Sequence, residues 1–291
     1  MNGLRAGLLL AGAVACGPEP EKTGTAGVDD TALLPGGDGG GSGAPPNCPA
    51  GMLEVPGGTF TLGEWDPDQL ERYPGQILKE RSYTLDPFCV DELPFPGLRG
   101  APWPTDALDW DIVVAFEAEL PAYGRRLCTT AELLHAAAGP DNWRYPYDDL
   151  QHSPGTCEGN DLTPSAPLGS FSACVSPYGL LDLNVRSAWT VFDAQAGEDL
   201  RAFYLTDTGG TLIPGGGLYA VWGGSANQGT FFPPNNFGVH FYGPDDPGYV
   251  NESIRTCAAV GPAPAGADEA WAALVQGFTE DPTWAGLGLG R

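Results

Sequence analysis

The chain has 291 residues, and its 37 acidic side chains far outnumber its 13 lysines and arginines, which gives a formal net charge of −24. A surface this acidic repels the phosphates of nucleic acids and of anionic lipids, which argues against both as electrostatic partners. The negative charge has two remaining interpretations, a well-solvated surface or an affinity for calcium, and charge alone does not decide between them.

The first residues have the pattern of an export signal. Arg5 precedes an apolar run at 8–15, and small residues stand directly before Cys16. The run is shorter than the roughly 20 apolar residues that span a bilayer, which is typical of a secretory signal. We predict a lipoprotein signal peptide over residues 1–15, with Cys16 as the acylated N-terminus of a bacterial cell-envelope protein on its periplasmic or surface face. An ordinary signal peptide with an incidental cysteine is the alternative.

Residues 16–47 have almost nothing apolar to bury. Glycine, proline, threonine and acidic residues dominate, and the stretch 36–43 is nearly all glycine. Ordering such a backbone would cost conformational entropy with no compensating burial. The composition predicts a disordered, Gly/Pro-rich tether.

From 48 to 262 the composition becomes that of one globular domain. The chain has 7 cysteines, of which Cys16 is assigned to lipidation and the others are Cys48, Cys89, Cys128, Cys157, Cys174 and Cys257. An even number of cysteines in an exported domain predicts disulfides, and spacing leaves their pairing open. Zinc is the competing interpretation, but no two cysteines have the close spacing of zinc ligands.

Two helices are predicted in the first half of the domain. Residues 109–123 place apolar side chains at helical spacing, and Gly124 ends the pattern. In 129–138, Thr129 and Glu132 have the spacing of a capping box, and a Gly-Pro pair follows the helix.

Short strands and one further helix complete the predicted elements. The tail 263–291 contains a candidate amphipathic helix at 268–276, with Asp268 as its N-cap. Short apolar segments between turn residues predict strands at 58–62, 82–85 and 218–222. With 43 glycines and 29 prolines, the pattern indicates a loop-rich α+β domain stapled by disulfides.

A series of segments in a fixed order carries one specific resemblance. The sequence Gly-Arg-Arg-Leu-Cys-Thr-Thr-Ala-Glu-Leu at 124–133 is the most specific of them. The others are an opening strand pair at 51–63, a strand at 88–92, a turn at 144–148, and the segments 176–183, 221–225 and 255–259. The set resembles the formylglycine-generating, or sulfatase-modifying factor, family, and most closely its exported bacterial lipoproteins, which have cysteine at the Cys128 position.

The resemblance implies an irregular, C-type-lectin-like α+β fold. Within that fold we expect Cys157–Cys174 as a local staple and Cys128–Cys257 as a link from the early helix to the last strand. Cys48–Cys89 is the remaining pair. Each bond would contribute about 2–4 kcal/mol by restricting the unfolded chain.

The copper site implied by the resemblance is not matched here. The family's enzymes oxidise a substrate cysteine with molecular oxygen and a copper ion held by two cysteines. Those cysteines correspond to the interval 223–255, which contains neither cysteine nor methionine. Copper(I) needs such soft ligands. His135, His152 and His240 have no metal-ligand spacing, and we interpret His135, in the second helix, as packed or partly exposed rather than functional. We therefore predict no catalytic residues.

Calcium is the one cofactor that the sequence leaves open. The segment 184–189 lacks the glutamate of the family's calcium loop. Asn160 and Asp161 resemble the start of a second calcium loop and are candidate ligands, since calcium prefers carbonyl and carboxylate oxygens. A plain turn stapled by a disulfide is the alternative.

These observations predict a non-catalytic, envelope-tethered binding or scaffolding domain whose partner is a peptide, protein or glycan. Its candidate ligand-binding residues are Trp222, Phe231, Phe232, Asn235, Asn236, Phe237, His240, Phe241 and Tyr242. The alternative for this segment is that it forms core and turn. The alternatives for the protein are a metal-dependent oxidase with ligands from elsewhere, acting on a protein cysteine or another small substrate, and a purely structural envelope component.

Overall fold

A computed structural model describes most of the predicted domain. The described residues are 47–62, 81–141, 143, 167–183, 187–191, 219–222, 240–242 and 252–288, with 187–191, 219–222 and 240–242 described by their backbone. The description below is of the unit Pro45–Arg291. The predicted signal, the lipidated Cys16 and all of the predicted tether except its last residue, Asn47, lie outside the described residues. No helix among those described is long and apolar enough to cross a bilayer.

The two early helices form where their capping signals predict them. Helix α1 spans Trp110–Glu119 and continues as a 3-10 turn over Leu120–Tyr123. Asp109 caps it by accepting a hydrogen bond from the backbone N–H of Ile112 at 3.0 Å. Gly124 ends it with a φ of 66°, and a Cβ there would lie 2.5 Å from the Pro264 ring. Glycine is thus required at this stop.

Helix α2 spans Thr130–Ala138 and has a complete capping box. The Thr129 hydroxyl accepts from the N–H of Glu132 at 3.2 Å, and the Glu132 carboxylate accepts from the N–H of Thr129 at 2.9 Å. All nine residues of the helix are buried. The helix therefore lies in the centre of the core rather than on its surface.

Helix α3 spans Ala267–Glu280 and is followed by a 3-10 turn over Ala285–Leu287. It is longer than the predicted 268–276, and the prediction of Asp268 as its N-cap is wrong. Gly266 is the N-cap, with a φ of 80°, and it makes no side-chain cap. Asp268 lies in the first turn, where its carboxylate accepts a hydrogen bond from the N–H of Ala50 at 3.1 Å. Local spacing could not predict that the Asp268 carboxylate accepts a hydrogen bond from a distant residue instead of capping the helix.

The strands are short and form three sheets. Their bounds are Met52–Val55 (β1), Gly58–Leu62 (β2), Arg81–Leu85 (β3), Phe88–Asp91 (β4), Arg126–Leu127 (β5), Ser187–Val191 (β6), Tyr219–Trp222 (β7), His240–Tyr242 (β8), Glu252–Ile254 (β9) and Thr256–Ala259 (β10). The sheet orders are β1-β4-β10-β5, β2-β3 and β8-β7-β6-β9. Only the β6–β9 contact is parallel among these described pairs. The domain is thus a mixed helix-and-strand fold.

The predicted opening strand pair is present as two strands that do not pair with each other. Strand β1 pairs with β4, with Met52 opposite Asp91, whereas β2 pairs with β3, with Gly58 opposite Leu85. At the junction, a Cβ on Gly57 would lie 2.5 Å from the carbonyl oxygen of Leu85. The glycine permits this close approach, and the chain passes from one sheet to another there.

Two of the expected disulfides bracket the pair of inner strands β4 and β10. Cys48 is joined to Cys89 of β4, and Cys128 is joined to Cys257 of β10. Ala258 is opposite Cys89 and Val90 is opposite Cys257, so the two cysteines are at adjacent register positions. Because side chains alternate along a strand, the two bonds lie on opposite faces of the sheet. The burial clusters agree, since Cys48 and Cys89 pack with Ala258 while Cys128 and Cys257 pack with Val90.

The third expected pair includes Cys157, which lies outside the described residues. Cys174 is fully buried and is itself disulfide-bonded.

The core has two main parts. One surrounds α2 and includes Val55, Tyr83, Leu85, Phe88, Val90, Leu133, Leu134, Leu180 and Leu183. The other joins α1 to α3 through aromatic side chains, namely Phe95, Phe116, Trp271, Phe278 and Trp284. In the second part, the Phe95 ring stacks on Trp284 at 5.5 Å and meets Phe278 edge-on at 4.9 Å. The C-terminal segment therefore contributes directly to the core.

A buried ion pair crosses the sheet beside the disulfides. The Arg125 guanidinium donates to Asp91 Oδ1 at 2.5 Å and to the carbonyl oxygen of Ala50 at 2.7 Å. Asp91 Oδ2 accepts from both the N–H and the hydroxyl of Thr256, at 2.7 and 2.6 Å. The Arg125 guanidinium also lies 4.1 Å from the centre of the Trp271 ring. Both charges are buried, at 4% and 3% exposure, so each depends on the other for compensation.

Replacing Asp91 with alanine should therefore destabilise the domain strongly. Asp91→Ala leaves the Arg125 charge buried without its partner, and we expect the free energy of unfolding to fall by about 3–5 kcal/mol. Denaturant unfolding of the oxidised protein measures this. Glu92→Ala is the matched control, because Glu92 pairs with Arg99 at 3.6 Å with side chains 42% and 57% exposed. That change should cost at most about 1 kcal/mol. Equal losses in the two variants would contradict the assignment.

Candidate functional site

The sequence-predicted ligand-binding residues fall on two neighbouring strands and on the segment between them. Trp222 ends β7, and His240, Phe241 and Tyr242 form β8. The two strands are antiparallel, with Val221 opposite His240. The other candidates, Phe231, Phe232, Asn235, Asn236 and Phe237, lie outside the described residues, in the segment 223–239 that connects β7 to β8. The backbone thus places Trp222 and His240 at one end of the strand pair, while Tyr242 lies at the other end, opposite Tyr219.

The predicted calcium ligands Asn160 and Asp161 also lie outside the described residues, as does His152. Across the ranges that the structure describes, no group of three or more His, Cys, Asp or Glu side chains is placed to hold a metal ion. The calcium site remains a prediction from the sequence.

His135 is packed in the core, which decides between the packed and the partly exposed position that the sequence left open. Its side chain is 5% exposed, and its ring stacks on Phe60 with centroids 3.9 Å apart and an angle of 12° between the planes. Nε2 lies 3.2 Å from the carbonyl oxygen of Pro56 and 3.4 Å from the hydroxyl of Tyr178. A carbonyl oxygen only accepts, so we assign the proton of the neutral ring to Nε2.

This arrangement makes His135 a poor proton acceptor. With Nε2 protonated, Nδ1 carries the lone pair, and it is buried without a hydrogen-bond partner among the described residues. Burial lowers the pKa of His135, and the bond to Pro56 only partly opposes that effect. The neutral imidazole therefore fastens β2 and the Tyr178 turn to α2, and it is not exposed to a substrate.

Arg255 is the buried cation that sequence reasoning did not single out. It is 1% exposed, and its guanidinium donates to three carbonyl oxygens, those of Asp91 at 2.6 Å, Glu92 at 2.9 Å and Leu181 at 2.6 Å. Desolvation lowers the pKa of Arg255 to about 10, so the side chain remains charged at neutral pH. The family resemblance contained Arg255 as the first residue of the segment 255–259, but it gave the residue no role. Its role depends on contacts far away in sequence.

Asp182 lies close to this cation in the turn over 176–183. It has a φ of 55°, which is rare for a residue other than glycine. Its Oδ2 accepts a hydrogen bond from the N–H of Gly169, while Oδ1 is buried with no such partner among the described residues. Desolvation raises the pKa of Asp182, against the opposing effects of the Gly169 hydrogen bond and of Arg255. Arg255 therefore holds the turn against the end of β4, and Asp182 joins the same turn to Gly169.

The cysteines of the described domain do not fit a copper–thiolate site. Cys48, Cys89, Cys128 and Cys257 are all committed to disulfides and have no thiolate to offer. The interval 223–255, where the resemblance would place two copper ligands, has no cysteine. Copper(I) binding of the kind implied by the resemblance therefore lacks its donor set.

Comparison with solved structures shows a shared fold. The chain is similar to PvdO from Pseudomonas aeruginosa, with a TM-score of 0.50 and 17% sequence identity, over 75% of this chain and 100% of that chain. Neither a scan against protein-family models nor a search of curated proteins finds a match. At this level of identity, the likeness to PvdO concerns fold alone.

The buried His135 should make the stability of the domain depend on pH in the acidic range. Since its pKa is lowered by folding, the unfolded chain binds more protons, and stability is full above the ordinary histidine pKa near 6.5 and falls as the pH drops below it. His135→Phe keeps a ring on Phe60 and removes the titration. We expect the wild type to lose stability relative to this variant between pH 7.5 and 5, by at most about 1.4 kcal/mol per pH unit.

Denaturant unfolding at several pH values measures this difference. Tyr178→Phe is the control, because it removes one weak contact with Nε2 and leaves His135 able to titrate. It should keep the pH dependence of the wild type. A constant difference between wild type and His135→Phe across this range would show that folding leaves the pKa of His135 unchanged.

Proposed function

We propose that this chain is an exported, lipid-anchored binding or scaffolding domain that uses the C-type-lectin-like fold of the formylglycine-generating enzymes without their oxidase chemistry. The export signal, the predicted tether and the disulfides support the location, since structural disulfides persist in oxidising compartments. The proposal that the domain binds a partner without oxidase chemistry rests on one observation, namely that its described cysteines form structural disulfides.

The assignment to this fold family is supported by how the resembling segments meet. In segment 124–133, Arg126 and Glu132 form an ion pair beside the capping box. Segment 255–259 places Arg255 on the carbonyl oxygen of Leu181, which belongs to segment 176–183. The disulfide between Cys128 and Cys257 joins the segment 124–133 to the segment 255–259. Segments separated by more than a hundred residues thus form one framework, and the shared fold with PvdO agrees with it.

The absence of an oxidase site is inferred from the donor set. An enzyme of this family would need two thiolates between 223 and 255, and the chain has no cysteine there. The buried polar groups offer no replacement, because Asp91, Arg125 and Arg255 are occupied by partners within the framework. A fold can retain its framework while its site is lost or exchanged.

The proposed binding surface is the connection between β7 and β8. Antiparallel strands bring Trp222 near the start of β8, so the segment 223–239 leaves and re-enters the fold at one end of the strand pair. Loops carried by a rigid scaffold are common sites of recognition. Phe231, Phe232 and Phe237 in this segment offer flat apolar surface, and Asn235 and Asn236 offer amide donors and acceptors. Peptides and glycans are ligands that suit this chemistry.

A binding assay on the connection tests the proposal. We expect the oxidised protein to retain members of a glycan array or a random-peptide library, and the triple variant F231A/F232A/F237A to bind them at least about tenfold more weakly, which is about 1.4 kcal/mol. Leu98→Ala is the matched control, because it removes a 48%-exposed apolar side chain outside the segment. It should bind as the wild type does.

Thermal unfolding of the three proteins separates a binding defect from a folding defect. The proposal would be contradicted if neither library yielded a ligand, or if the correctly folded triple variant bound as well as the wild type.

A further inference from the structure

The first described residues of the domain are held by a set of long-range contacts. Cys48 is bonded to Cys89, which is 41 positions further along the chain. The carbonyl oxygen of Asn47 accepts from the N–H of Gly261 at 2.6 Å, and the Asn47 side chain donates to Glu54 at 3.0 Å. The point where the predicted tether joins the domain is therefore fixed both covalently and by hydrogen bonds.

Ala50 adds two more contacts to the same segment. Its N–H donates to Asp268 at 3.1 Å, and its carbonyl oxygen accepts from Arg125 at 2.7 Å. Arg125 is in turn paired with Asp91 of β4. The segment 47–50 is thus connected to α3, to β4 and to the loop before β5, although it belongs to no strand or helix itself.

The strand order decides where tension on this segment would act. In the sheet β1-β4-β10-β5, β1 is an outer strand and pairs through only four register positions, whereas β4 lies between β1 and β10. A pull on the N-terminal side of β1 would break its hydrogen bonds one after another. The bond from Cys48 to Cys89 offers a covalent route around β1, β2 and β3.

We propose that the Cys48–Cys89 bond is a force-bearing clasp that transfers tension on the N-terminal tether directly to the inner strand β4. The load passes across the sulfur atoms, so β1, β2 and β3 carry none of it while β4 remains paired on both sides. The contacts of Asn47 and Ala50 keep the segment 47–50 aligned with the clasp. The biological use of the device rests on the proposed function, in which the tether is lipid-anchored at Cys16.

The pairing of β4 with β10 strengthens the device. Cys89 is opposite Ala258, the residue after Cys257, and Cys257 is bonded to Cys128. Tension that reaches β4 therefore meets a partner strand that is itself covalently fixed. The two bonds lie on opposite faces of the sheet. Cys48–Cys89 secures the segment 47–50, and Cys128–Cys257 secures the α2 side of the core.

Single-molecule force spectroscopy on the full chain, with handles added at both ends, tests the clasp. In the oxidised wild type the segment 48–89 should contribute no extension. In C48S/C89S we expect an early step at lower force, before the main unfolding event. The added length should be that of 41 residues at about 3.6 Å each, roughly 150 Å. Reduction of the wild type would also open Cys128–Cys257, so C128S/C257S, which keeps Cys48–Cys89, is the second variant. It should show no early step when oxidised and should gain one on reduction, which protects the test against a C48S/C89S protein that fails to fold.

Two results would overturn the proposal. One is a folded C48S/C89S protein whose early step releases a length other than that of the segment 48–89. The other is a folded C48S/C89S protein that unfolds in a single event at the wild-type force, or a reduced C128S/C257S protein that gains no early step. Membrane fractionation of the wild type and of Cys16→Ser tests the proposed lipid anchor independently of the clasp. If the wild type does not fractionate with membranes, the anchor in the proposed function fails while the force measurement still decides the clasp.

Discussion

The pairing of β4 with β10 is the constraint on which the rest of the domain depends. Cys89 and Asp91 lie on β4, and Cys257 and Thr256 lie on β10. Within three register positions, this pair holds two disulfides on opposite faces and one end of a buried ion pair.

The disulfides matter because regular secondary structure is sparse. The described strands have two to five residues, and short strands alone give little cooperative stability. The bonds close loops of 41 and 129 residues, and restricting such loops in the unfolded chain contributes about 2–4 kcal/mol for each bond. The longer loop contains α2 and the strands β6 to β9. The covalent framework thus compensates for what the short strands lack.

Several groups that could perform chemistry serve as structure in the part of the domain that the structure describes. Cysteines form staples, Arg255 binds three carbonyl oxygens, and His135 is stacked and buried. Each group has a low exposure and a defined structural partner. This use of reactive side chains is the physical basis for proposing recognition, rather than oxidation, as the activity of the fold. Recognition would then fall to segments carried by the framework, above all the connection between β7 and β8.

Local signals in the sequence predicted the elements whose causes are local. The capping box of Thr129 and Glu132 and the stop at Gly124 act within a few residues, and both helices begin and end where these signals indicate. The local sequence around Asp268 fits an N-cap equally well, but its carboxylate accepts a hydrogen bond from the N–H of Ala50, more than two hundred positions away. The partition of β1 and β2 between two sheets is likewise decided by distant partners.

The candidate site was less predictable than the helices. Composition and spacing left the cysteine pairing open, and the pairs Cys48–Cys89 and Cys128–Cys257 were expected only within the family resemblance. Arg255 could be located by that resemblance, but three carbonyl acceptors from two separate segments could not be foreseen. The aromatic candidates at 231–237 lie outside the described residues, and they remain predictions from the sequence.

The most direct test of the central claim is the copper and free-thiol content of the purified chain, measured with and without mild reduction and after exposure to copper(I). If the cysteines are staples, the protein will contain no copper, and the cysteines of the domain will resist mild reduction and bind none. A stoichiometric copper ion, or one readily reduced pair that then binds copper(I), would show that the chain has a thiolate site. That result would contradict the proposal of a non-catalytic domain and direct attention to an oxidase.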